Sequence, residues 1–181
     1  MAALLRIIHP AQFFQCFGLL KQIAESVPIN HRQTVLDLLE FWASPFHCMQ
    51  VIVNRETINH RDTRGWALGY DLLATFGNYN NGVLSLPTIG LECLYNPGTV
   101  TGLMGKVFIH GVRPVNGERF CFAQFVRPGV FGRAFPGQPE PQPPSLSLVK
   151  NIGVSARDFH WELHGGTLSV YTFTPMSVTH R

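Results

Sequence analysis

The chain has 181 residues, 45% hydrophobic and 14% charged, enough apolar material for one sizeable core and by default one domain. Its formal net charge of +3 is too small to demand a polyanionic partner and is compatible with one. No stretch approaches the ~20 apolar residues of a bilayer span, and the four cysteines lack the spacing of a zinc finger or a C-x-x-C redox pair.

The first expected element is an amphipathic helix over 10–26. Phe13, Phe14, Phe17, Leu20, Ile23 and Ala24 recur at spacings of three and four, and Pro10 suits its first turn. The apolar run 11–20 imitates a signal-peptide core, but Lys21, Gln22 and Glu25 follow where small residues before a cleavage site belong, so a helix of the mature protein is expected. A second stripe, Val35, Leu36, Leu38, Leu39 and Trp42, runs from about His31 until Ser44-Pro45 stops it. Residues 1–45 therefore read as a helical support.

Beyond Pro45 the pattern changes to short runs rich in β-formers: 48–53, 70–76, 82–86, 90–95, 99–103, 107–112 and 119–126. Asn80-Asn81-Gly82, Asn96-Pro97-Gly98 and Asn116-Gly117 punctuate them. So many strands in about eighty residues predict a double-sheet jelly roll over 46–133, an α+β protein that is mainly β. The Pro-rich stretch 134–147 reads as a surface loop. Residues 148–181 read as C-terminal strands, including a hairpin over Leu163–Thr174 about Gly165-Gly166. Cys16, Cys48, Cys93 and Cys121 are expected to be reduced and buried in an intracellular protein, nuclear or cytoplasmic.

Within this frame, His60-Arg61-Asp62 sets an imidazole and a carboxylate two residues apart, which an extended chain turns to one face. His110, at the end of Val107-Phe108-Ile109, is the expected third ligand from a distant strand. Two imidazoles and one carboxylate on one side of an ion form the facial triad of non-haem Fe(II) oxygenases. H-x-D alone is a weak signal, because a chain with eight His produces it by accident.

Asn116-Gly117 predicts a two-residue hairpin turn, with His110 opposite Ala123 and Pro114 opposite Arg119. Alternation then sets His110, Val112, Cys121 and Arg119 on one face, with His110 and Arg119 ~13 Å apart along it. An inward arginine needs an anion, and a carboxylate accepting two parallel N–H bonds is its natural partner. A five-carbon diacid bridging ion and guanidinium would fill the gap. The alternative for Arg119 is an exposed sheet arginine, with Phe120 and Phe122 turned inward.

These motifs, together with Gly90-Leu91-Glu92-Cys93-Leu94-Tyr95-Asn96-Pro97-Gly98, His110-Gly111-Val112 and Gly117-Glu118-Arg119, resemble the 2-oxoglutarate/Fe(II) dioxygenases over 51–130. Within that superfamily the chain is most similar to short TET/JBP-type members of fungal kind. The resemblance implies a double-stranded β-helix barrel, Fe(II) on His60, Asp62 and His110, O2 as cosubstrate, and Arg119 gripping the far carboxylate of 2-oxoglutarate. It implies oxidative decarboxylation to succinate and CO2 coupled to substrate C–H oxidation. With Asp62 supplying the carboxylate ligand, hydroxylation is expected rather than halogenation.

Asn54 is a candidate cosubstrate contact or a turn residue. Arg61 and Arg64, with Arg55, Arg113, Arg127 and Arg133 nearby, are candidate phosphate contacts or solvated arginines. Asp71 and Tyr95 are either site-lining residues or core-edge ones. Tyr70, Trp66 and Tyr79 are candidate stacking residues for an extruded base, or core. The leading expectation is oxidation of a methylated base in DNA, 5-methylcytosine first. The alternatives are a hydroxylase of a protein side chain or small molecule, and a non-catalytic jelly-roll binding module.

Overall fold

The computed structural model describes residues 1–144, and the C-terminal hairpin expected over 163–174 lies outside them. Three helices open the chain, α1 (Ala2–Ile8), α2 (Pro10–Ser26) and α3 (Ile29–Phe41), where the sequence predicts two. Pro10 starts α2 as expected, and the ring of His9 accepts the Gln12 N–H at 3.2 Å as its N-cap.

The buried face of α2 is rotated from the predicted stripe. Gln12, Cys16, Leu19, Leu20 and Ala24 are buried, whereas Phe14 and Phe17 are exposed. The buried Gln12 carries the difference. Its side-chain amide donates to the Tyr70 carbonyl at 2.8 Å and accepts the Tyr70 N–H at 2.8 Å, so a polar residue sits inside without an unmet bond. No residue of α3 is fully buried.

Among the described residues eight strands follow: β1 (Cys48–Val53), β2 (Thr57–His60), β3 (Asp71–Tyr79), β4 (Val83–Leu86), β5 (Leu91–Leu94), β6 (Val100–Leu103), β7 (His110–Val112) and β8 (Gly117–Phe125). They form two four-stranded antiparallel sheets, ordered β1-β8-β3-β6 and β2-β7-β4-β5. The protein is mainly antiparallel β with helices, as its composition predicts. A short helix α4 (Pro128–Ala134) follows β8 where the sequence analysis expects the end of the sheet region.

The predicted β7–β8 hairpin does not form. β7 pairs with β2 and β4 in one sheet, and β8 pairs with β1 and β3 in the other. Gly117 serves a different need. It lies opposite Tyr79 with φ +112, and a Cβ there would stand 2.1 Å from the Asn78 carbonyl oxygen, so glycine lets β8 close onto β3. Residues 107–109 are not strand, and His110 begins β7 instead of ending a longer run.

Two apolar clusters hold these layers. Leu5, Cys16, Leu19, Phe46, Trp66, Leu72, Val126 and Phe131 join α1, α2 and α4 to the β1-β8-β3-β6 sheet. Leu84, Tyr95 and Val112 pack with Leu73 and Cys93, bringing the two sheets into contact. Trp66 meets Phe131 edge-on at 4.9 Å, which fixes the loop between β2 and β3 against α4. That loop carries part of the candidate site.

Candidate active site

Both sheets line one cavity of about 500 Å³, which contains His60, Asp62, His110 and Arg119. β2 delivers His60 as its last residue, Asp62 follows in the loop, and β7 delivers His110, paired across the strands with His60. His60 Nε2 stands 3.4 Å from Asp62 Oδ1 and His110 Nε2 3.5 Å from Asp62 Oδ2. One donor atom from each of the three lies within 4.8 Å of the others. Among the described residues no other group of three His, Cys, Asp or Glu could share an ion in this way.

The donor chemistry fits a divalent ion. The Nδ1 of His60 bonds the Ile58 carbonyl at 2.9 Å and the Nδ1 of His110 bonds the Phe108 carbonyl at 3.0 Å. Carbonyls only accept, so each Nδ1 carries the proton and each Nε2 turns its lone pair toward Asp62. Burial lowers the His110 pKa below the ordinary value, against the opposing pull of the Phe108 carbonyl and Asp62, and keeps its ring neutral as a ligand requires. Imidazole and carboxylate donors bind their ions at about 2.0–2.2 Å, so neighbouring donors round one ion stand about 3 Å apart.

The backbone fixes the carboxylate. Asp62 N–H donates to the Gly105 carbonyl at 2.9 Å. A Cβ on Gly105 would come within 2.6 Å of Asp62 Oδ2 and 2.9 Å of Asp71 Oδ2, so the absence of a side chain makes room for both acids. The Asp71 carboxyl is pushed up to about 7, by burial first and by the Asp62 carboxylate second, with Arg127 opposing. A cation held by Asp62 would relieve that repulsion.

Arg119 is the second feature. It is only 2% exposed, on β8, in the row Arg119, Cys121, Ala123 whose side chains face the cavity. Its guanidinium bonds the Arg55 carbonyl and makes no ion pair among the described residues. A planar cation with five donors and one neutral acceptor, buried in an apolar wall, is costly until a carboxylate joins it. The inward reading of Arg119 is therefore the observed one, reached through opposed sheets instead of a hairpin.

Asn54 does not line the cavity. Its Oδ1 accepts the Arg119 N–H at 2.7 Å and its own N–H donates to the Arg119 carbonyl at 2.8 Å, with φ +46. It clasps the backbone of the arginine. Arg61 and Arg64 stand exposed at the cavity mouth with Arg55 and Arg127, Arg133 lies beside them, and Arg113 is engaged by Glu92.

The three aromatics suggested for base stacking are elsewhere. Trp66 is in the core, Tyr70 is packed against it, and the Tyr79 hydroxyl bonds Thr75 and the Tyr95 carbonyl. Tyr95 and Asp71 do line the cavity. Phe125 also lines it, under the Arg127 guanidinium at 4.8 Å from the ring centroid. Alternation from Arg119 along β8 reaches Phe125, and that period of two is the signal in the sequence for its place here.

Residues 1–128 match the sequence model of Tet_JBP, described as the oxygenase domain of the 2OGFeDO superfamily. No curated protein matches the chain.

Proposed function

Because the chain belongs to the Tet_JBP family of 2-oxoglutarate- and Fe(II)-dependent dioxygenases, we propose that it oxidises a methylated base in DNA, with 5-methylcytosine the first candidate. The observation that carries the dioxygenase part of the reading is the pairing, in one cavity, of His60, Asp62 and His110 with a buried, unneutralised Arg119, while the DNA base rests on the family match. The strand orders β1-β8-β3-β6 and β2-β7-β4-β5 support reading the sheets as the two halves of a double-stranded β-helix barrel.

His60, Asp62 and His110 would hold Fe(II), and the bound ion with 2-oxoglutarate and O2 supplies the oxidising power, yielding succinate and CO2. The rest is the work of the chain's own groups. Arg119 offers its planar fork to the distal carboxylate of 2-oxoglutarate, and Asn54 fixes the backbone that presents it. The Ile58 and Phe108 carbonyls hold the two imidazoles in one tautomer. Leu73, Leu84 and Val112 give the cavity an apolar wall. Arg61 and Arg64, exposed where they line the cavity, would meet phosphates of a strand whose base enters.

Succinate formation on a panel of methylated and unmethylated oligonucleotides, with mass spectrometry of the bases, tests the proposal. Succinate and an oxidised base on methylated strands are expected. Succinate formation on a peptide or small molecule, with no oxidised base on any strand, would replace DNA by that substrate class.

A further inference from the structure

Beside the metal cavity lies a second depression, a groove of about 730 Å³. Arg64, Lys106, Arg127 and Arg133 line it, and no carboxylate does. None of these four cations makes an ion pair among the described residues. Four positive groups on one groove, in a chain whose whole net charge is +3, concentrate the field at one place. Acids lie beside the groove and not in it, with Asp62 in the metal cavity and the Asp71 carboxyl within the field of Arg127. Asp71 lies in the metal cavity, and Glu140 is occupied by the Ala67 and Leu68 N–H groups at 2.8 and 3.1 Å.

The groove is continuous with the metal cavity. Thr63, Arg64, Gly65 and Arg127 border both. Arg127 is held at that junction by its stacking over Phe125, while Lys106 and Arg133 lie on the far side, outside the metal cavity. Three of the four cations are arginines, whose fork takes two oxygens of one phosphate.

We propose that this groove carries consecutive phosphodiesters of a nucleic-acid strand on one side of the base being oxidised, with Arg64 and Arg127 nearest that base and Lys106 and Arg133 beyond them. The inference rests on the DNA reading of the substrate and adds to it a path for the strand. An acidic peptide offers carboxylates on a flexible chain, whereas a strand offers evenly repeated anions that can continue from the cavity along the groove.

The test is the salt dependence of binding to an unmethylated duplex, for the wild type and for Lys106→Gln/Arg133→Gln, two exposed positions. Each lost phosphate contact lowers the slope of log K against log salt by about 0.9, so the double variant should lose about 1.8 and bind at least tenfold more weakly at low salt. Retained 2-oxoglutarate binding shows that the variant is folded. An unchanged slope overturns the groove, even if the wild type still makes an oxidised base. A reduced slope with no oxidised base keeps the groove and overturns base oxidation. Competition by an acidic peptide of equal charge, as strong as that by the duplex, assigns the groove to a protein partner and overturns the strand. Failure of the wild type to bind any duplex at low salt overturns both readings.

Discussion

At Arg119 the local chemistry makes the sharpest demand on a ligand. Arg119→Lys keeps the charge and loses the fork, so 2-oxoglutarate should bind roughly 10- to 100-fold more weakly, the equivalent of about 1.5–3 kcal/mol for a charge-assisted pair. Calorimetric titration reads this directly, and unchanged affinity would remove Arg119 from the role. Gly105 is the complementary case, because its importance lies in what it lacks. Gly105→Ala should lower Fe(II) affinity at least tenfold by crowding Asp62 Oδ2, while the thermal midpoint moves by a few degrees at most. Equal metal affinity in that variant would show that Asp62 has room to move. Of these residues the His60/Asp62 pair was only a weak signal in the sequence until His110 and the family motifs joined it, and Asp62 lies in the loop after β2. Gly105 was not legible there, since nothing local marks a glycine whose neighbours arrive from another loop.

At the scale of the element, α2 and the loop between β2 and β3 depend on each other through His9 and Gln12. His9 accepts the Gln12 N–H through Nδ1 and donates from Nε2 to the Leu68 carbonyl at 3.1 Å, an arrangement open only to the neutral ring. Burial lowers its pKa below the ordinary 6.5. The unfolded chain therefore takes up the proton first as pH falls. Stability from this group is intact above about 6.5 and drains away as pH drops toward the lower folded value. His9→Gln, which can still accept and donate, should flatten that part of the pH dependence in urea unfolding between pH 7.5 and 5.5. An identical slope in variant and wild type would deny His9 the role. Strand pairing also accounts for the absent β7–β8 hairpin. Asn116-Gly117 is a strong signal for neighbours in sequence, but β8 gains more by pairing with β1 and β3 on both sides than by folding back on β7. Alternation along β8 survived that change of partner, so Arg119, Cys121 and Ala123 still face the cavity that His110 faces from the other sheet. Gly117→Ala should cost at least about 1–3 kcal/mol, since its φ of +112 and the Asn78 carbonyl both exclude a Cβ. A stability change under 0.5 kcal/mol would contradict the close approach of β3 and β8.

Across the described molecule, the layers divide the work. α1, α2 and α4 back one sheet through Leu5, Leu19, Leu72 and Phe131, and the other sheet meets it across the cavity that gathers the polar groups. No helix among the described residues is long and apolar enough to cross a membrane. The change from helical to strand periodicity after Pro45 was readable from spacing and composition. The sheet to which each strand belongs was not, because the antiparallel pairing joins residues as distant as Cys48 and Phe125. We propose that one cavity holds Fe(II) through His60, Asp62 and His110 and 2-oxoglutarate through Arg119. An anaerobic equilibrium titration of Fe(II) and 2-oxoglutarate against the wild type, Asp62→Ala and Arg119→Ala tests it most directly. One ion and one 2-oxoglutarate per chain are predicted for the wild type, with ion binding lost in Asp62→Ala and 2-oxoglutarate binding lost in Arg119→Ala while its ion is kept. Wild-type affinity for both in the two variants would contradict it.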